Sequence, residues 1–273
     1  MNYVRPAQVA GYFYPSNPDK LKKEISLMLD VTKPKEKIEN IFGIVSPHAG
    51  YIYSGKTAAH AYNLLVGKNY KRVVVISPSH SEYFPGICVF EGDAYETPLG
   101  ILKVDKEFRE KIETDDGIIF KGYEGHRREH ALEVQLPFLQ TVLKDFKIVP
   151  IVMGDQSKRN IDTLAKQLSQ ISDNETLIVA SSDLSHFYSK TQADRLDSIV
   201  EKRVREFDYE SLQFDLENHT CEACGGGPII ALMKAAKLKN ISHSLVLSRT
   251  DSGDVTGDNS EVVGYLSAVI YGD

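Results

Sequence analysis

Four short segments of the chain carry groups able to bind a metal or move a proton: 46-SPHAG, 77-SPSH, 181-SSDLSHF and 224-CGGGP. His48 and His80 each follow an apolar, β-branched run, 41-IFGIVS and 72-RVVVIS, that ends in Ser-Pro. Proline restricts the backbone there and presents the ring beyond the strand end, where ligands of open α/β sheets collect. One such histidine reads as an ordinary loop residue, but two at equivalent places point to a shared cleft. Asp183 and His186 follow a third run, 176-TLIVAS. Their spacing of three predicts a common face on a helical turn, with carboxylate and imidazole acting on one small volume. A helix-capping role for Asp183 or Ser182 would account for the aspartate but not for the histidine.

Cys224 precedes Gly225-Gly226-Gly227 and Pro228, which is expected at the first position of a helix. A thiol at a helix N-terminus is expected to have a lowered pKa and to favour thiolate, the form that ligates metal or attacks. The C-x-x-C formed with Cys221 is weak evidence for zinc, because Cys88 is the only other cysteine and a four-thiolate site needs two more ligands. An odd number of cysteines, three, also argues against a disulfide framework. The segment 126-HRREH matches the H-x-x-E-H pattern of inverted zinc peptidases, yet that motif needs a continuous helix. Gly122, Gly125 and Pro137 oppose one. His130 and Glu133, three apart, remain candidates for orienting ligand imidazoles from behind. His60, His219 and His243 lack such context and read as packing or surface residues.

Apolar runs at 41-IFGIVS, 72-RVVVIS, 147-KIVPIVM and 176-TLIVAS predict buried strands. Helical spacing recurs at 57-TAAHAYNLLVG, 159-RNIDTLAKQLSQIS, 190-KTQADRLDSIVEKRVREF and after Pro228. The alternation implies a single-domain α/β fold over residues 1–273, a mixed sheet flanked by helices. At the end of the chain, 243-HSLVLSRT and 261-EVVGYLSAVIY predict an antiparallel pair. A net charge of −6 without any Lys/Arg block excludes nucleic acid as the main partner. With no signal-like N-terminal segment and no run long enough to span a bilayer, a cytoplasmic protein without membrane contact is expected.

Six segments in order, 5-RPAQVAGYFYPSNPDKL, 46-SPHAGYIYSG, 77-SPSH, 129-EHALEVQLPFL, 181-SSDLSHF and 224-CGGGPI, together resemble the Memo-like family over nearly the whole chain. The resemblance implies a fold like that of class III extradiol dioxygenases. It implies a metal site of His48, His80 and Cys224, with Asp183 and His186 lining the same pocket, and a functional link to a radical-SAM protein. Non-haem Fe(II) oxygenases use two histidines and a carboxylate, whereas here the third group is a thiolate, which suits copper or a softer iron site. His186 is then the candidate acid/base, with Tyr53 or Asp183 orienting an unknown small-molecule substrate.

Three functions compete on these residues. The first is a dioxygenase-like, metal-dependent oxidoreductase holding iron or copper. The second is a non-catalytic module whose Gly225–Gly227 amides capture an anionic or phosphorylated peptide. The third is metal-assisted hydrolysis, with His186 shuttling a proton.

Overall fold

The computed structural model describes residues 3–34 and 36–273. Its strands are β1 (Val4–Arg5), β2 (Ile41–Ser46), β3 (Arg72–Pro78), β4 (Ile87–Phe90), β5 (Ala94–Thr97), β6 (Gly100–Lys103), β7 (Ile119–Gly122), β8 (Lys147–Met153), β9 (Thr176–Ser181), β10 (Asp183–Tyr188), β11 (His243–Asp251) and β12 (Val262–Tyr271). The main sheet runs β10-β12-β2-β9-β3-β8-β4-β7, with β11 also paired to β12, while β1, β5 and β6 form a small separate sheet. Strands β2, β9, β3 and β8 are mutually parallel, and β12 joins β2 antiparallel. This is the α/β, mixed-sheet architecture that the sequence predicts. The expected C-terminal pair is β11 and β12.

Both faces of the parallel core are covered, which is why its strands read as continuous apolar runs rather than alternating ones. On β3, Val74 and Ile76 pack into the core beneath helices Lys158–Ile171 and Gly226–Leu238, while Val73 and Val75 face the opposite core. The helix Gly226–Leu238 lies so close to β2 that a Cβ on Gly43 would stand 2.5 Å from a Leu232 methyl. The predicted helix at 57–67 is Lys56–Asn63, preceded by a π-helical turn, Tyr51–Gly55, and followed by Gly67 at φ +78°. No helix among the described residues is long and apolar enough to cross a membrane.

The N-terminal segment is fastened by a buried ion pair. Arg5, 1% exposed, donates from Nη1 to Glu133 Oε2 (2.6 Å), from Nη2 to Glu129 O (2.7 Å) and from Nε to His126 O (2.5 Å). Glu133 also accepts from Gln8 N, Val9 N and the Tyr14 hydroxyl. All its acceptor capacity is directed at this segment, so Glu133 does not back any imidazole, contrary to the role expected for it. His126 lies outside any helix, as the flanking glycines indicate; the helix starts at His130 with Glu129 as its cap. His126 Nδ1 meets the Tyr95 hydroxyl at 2.7 Å and Nε2 meets Cys88 O at 3.1 Å, which occupies both nitrogens and removes the peptidase reading.

Two consequences can be measured. Glu133→Ala strands the Arg5 guanidinium in the interior and should cost about 3–5 kcal/mol in urea unfolding. Burial pushes His126 down to about 3. Above pH 6.5 neither state binds a proton there; below it the unfolded chain does and the folded one does not, so stability falls with pH through that window. The destabilisation caused by His126→Gln should therefore shrink by roughly 1.4 kcal/mol per pH unit between pH 6 and 5; a constant difference would contradict a neutral, buried His126.

Candidate metal centre

β9 lies between β2 and β3, with Ser46 opposite Ser181 and Ile76 opposite Ala180, so the three parallel strands end at one level. The residues that follow, His48, Asp183 and His80, converge there. Cys224 reaches them from the loop before helix Gly226–Leu238. Its N–H donates to Asp183 O (3.2 Å), the Asp183 N–H points at Sγ (3.3 Å), and Gly225 N donates to Ser182 Oγ (2.9 Å). A Cβ at position 225 would lie 2.1 Å from Ser181 O, so glycine is required for the loop to sit against β9 at all. One ligand atom from each of His48, His80 and Cys224 lies within 4.8 Å of the others. Ligand atoms around a tetrahedral metal stand about 3.3–3.7 Å apart, within a small contraction of this arrangement.

The hydrogen bonds settle which ring nitrogens are free. The Ser181 hydroxyl donates to Ala131 O (2.7 Å) and accepts from Gln135 Nε2 (2.8 Å), so at His48 Nδ1, 2.9 Å away, it can only accept again. His48 therefore carries its proton on Nδ1 and turns an Nε2 lone pair toward Cys224 Sγ, 3.2 Å away. At His80 the partner is Glu129, whose Oε1 accepts from Nδ1 at 2.9 Å and whose Oε2 accepts from the His80 backbone N–H at 2.6 Å. His80 likewise keeps Nε2 free.

His48 is 1% exposed, and burial, with neighbouring His80, His130 and His186, holds its pKa well below the ordinary value. Burial also pulls on His80, but its hydrogen bond and charge pairing with Glu129 outweigh that and raise it. Burial lowers His130 and His186 and pushes Asp183 up to about 7. The Cys224 thiol is raised too, first by desolvation and then by Asp183, so burial overrides the helix N-terminus and the expected lowering does not occur.

Several expected details are revised by the backbone. Residues 183–188 form a strand, not a helical turn. Asp183 and His186 share a cavity because β10 has two residues between them where β12 has one between their partners, Tyr265 and Val263; that bulge returns residue 186 to the face of residue 183. Helix Gly226–Leu238 begins two residues before Pro228. Its glycine amides are already used: Gly225 N by Ser182 Oγ, Gly226 N by Ala223 O and Gly227 N by Gln156 Oε1. They cannot form the anion-capturing nest of the binding-module reading.

A cavity of about 480 Å³ opens beside the cluster, lined by Tyr53, His130, Asp183 and His186 among others. The His130 ring packs 4.7 Å from His80 and 4.8 Å from Phe13, forming part of the cavity wall rather than backing a ligand. His80, Glu129 and His130 also stand at metal-ligand spacing, but the Glu129 carboxylate is committed to His80 and to Ala131 N. The sequence reading misses Glu129, Ser181 and Gln135 as orienting groups. The only sequence signal for them is Glu129 as the glutamate of 126-HRREH, a pattern that points to a peptidase rather than to an orienting carboxylate.

Comparison with known proteins agrees with these motifs. The Memo-like protein family model matches residues 5–269. A MEMO1 family protein of Methanocaldococcus jannaschii is 37% identical over 291 residues, covering 99% of this chain and 100% of that protein. One from Thermoplasma volcanium is 37% identical over 267 residues, covering 97% and 98%. One from Aquifex aeolicus is 37% identical over 268 residues, again covering 97% and 98%. The chain belongs to the Memo-like family.

Proposed function

We propose that His48, His80 and Cys224 bind iron or copper, and that the adjoining cavity receives a small-molecule substrate for a redox reaction. The observation that carries this reading is that two imidazoles, each with its Nδ1 proton fixed by an acceptor, keep their Nε2 atoms free within metal-ligand spacing of a half-buried thiol. Two borderline imidazoles and one soft thiolate favour copper or a softer iron site over calcium or magnesium. A bound metal of this kind would supply one-electron chemistry. Binding it replaces the thiol proton, and the positive charge of the metal offsets the desolvation that raises the Cys224 pKa.

The remaining residues have roles that follow from position. Glu129 orients His80, and Ser181, itself held by Gln135, orients His48. His186 and Asp183 line the cavity, and their shifted pKa values, one lowered and one pushed up to about 7, suit them to exchange a proton with a substrate near neutral pH. Metal-assisted hydrolysis uses the same residues and would be favoured only if the bound metal proved to be zinc.

Metal content of protein purified without a histidine tag tests the reading. Cys224→Ser should abolish tight iron or copper binding, whereas Cys221→Ser should retain most of it, because Cys221 is 1% exposed and packed in the core. Equal loss in both would favour a dithiol site, and retention in both would remove the thiolate ligand. Glu129→Gln keeps the size of the side chain but weakens its hold on the His80 proton, and should reduce metal retention by roughly 10- to 100-fold in a chelator competition.

A further inference from the structure

The cavity beside the cluster has an uneven chemical lining. Four aromatic side chains, Phe13, Tyr53, Phe187 and Tyr265, stand around it, and the charged residues at its outer side are the carboxylates Asp258 and Glu261; among the described residues no lysine or arginine lines it. In the metal-free protein an anionic ligand would meet two negative charges there and no lysine or arginine from the described lining to offset them. Aromatic faces and carboxylates together suit a cation attached to an apolar ring, since both attract positive charge.

Phe187 adds a second, independent observation. It is the extra residue of another β10 bulge, between the pairs His186–Val263 and Tyr188–Val262. Its φ is +63°, a conformation disfavoured for a bulky side chain. Even so, the residue is 71% exposed, so packing within the chain does little to repay the strain. Asparagine would fit this backbone more easily. A strained residue at the rim of a site is a pointer to function, and here the strain sets a largely exposed aromatic ring, touched edge-on by the His186 ring, in the cavity lining.

We infer that the cavity binds a small ligand combining an aromatic ring with a protonated amine, the ring covered by Phe187 and the ammonium directed toward Asp258 and Glu261. This deepens the redox reading above, since the same cavity carries His186 and Asp183, but the recognition itself does not need the metal.

The test compares 2-phenylethylamine with 3-phenylpropanoate, similar in ring and chain but opposite in charge. Dissociation constants would be measured by ligand-observed NMR at pH 7.5, on chelator-treated and on metal-loaded protein. In chelator-treated protein the amine should bind about 5-fold or more tightly than the carboxylate, as expected from two exposed carboxylates acting at a few-fold each. The preference should shrink at high salt and in the Asp258→Asn/Glu261→Gln double variant. Phe187→Asn should weaken amine binding roughly 2- to 10-fold while leaving the thermal midpoint unchanged or raised, an opposition that a merely structural side chain would not produce. Equal or stronger binding of the carboxylate, no binding of either probe, or full affinity in Phe187→Asn would overturn the inference. Failure to bind iron or copper with the amine preference intact would remove the metal reading alone.

Discussion

The Asp183 carboxylate accepts the His48 backbone N–H at 2.8 Å, while the Asp183 peptide exchanges contacts with Cys224 through both its N–H and its carbonyl. One residue just past the end of β9 thus fastens the loop after β2 and the loop before helix Gly226–Leu238. These segments are far apart in sequence and share no helix or strand pairing at this point. The distance between His48 and Cys224 depends on this three-way junction. Its other carboxylate oxygen stands 3.9 Å from His48 Nε2, too long for a hydrogen bond. The side chain therefore supports the loop backbone while its second oxygen remains beside the cavity. Moving Asp183 would disturb the candidate ligands and the candidate acid/base group together.

A second level of support stands behind the first. His80 is the most open of the three candidate ligands, and Glu129 holds it by both ring and backbone. Glu129 can do so because it caps the short helix His130–Glu133, whose far end is bonded to Arg5 and the N-terminal segment. The buried Arg5–Glu133 pair and the bond from Arg5 to Glu129 O make the N-terminus part of the site's foundation. Apart from the His80–Glu129 pair, the candidate ligands carry no charge into the interior. His48 is held neutral by burial and the Cys224 thiol is held protonated, so a cation entering the gap would exchange with a proton rather than meet a bare buried charge.

The residues that determined the fold and the outline of the site act locally. Consecutive β-branched apolar residues make buried parallel strands in any context that covers both faces, and Ser-Pro-His at a strand end places an imidazole at the sheet's edge wherever that strand lies. The sequence by itself therefore determined the α/β class, the principal strands and helices, and the group from which a site could be drawn. Tertiary structure alone decided that Glu129, not Glu133, holds His80, since the two differ only in which neighbour each meets across the fold. It also decided the state of Cys224, because desolvation depends on the whole surrounding and outweighs the local helix terminus. The bulges that bring His186 back beside Asp183 and turn Phe187 outward arise from the register against β12, nearly eighty residues later. Hydrogen-bond direction, desolvation and strand register are properties of pairs distant in the chain, and no reading of either member alone contains them.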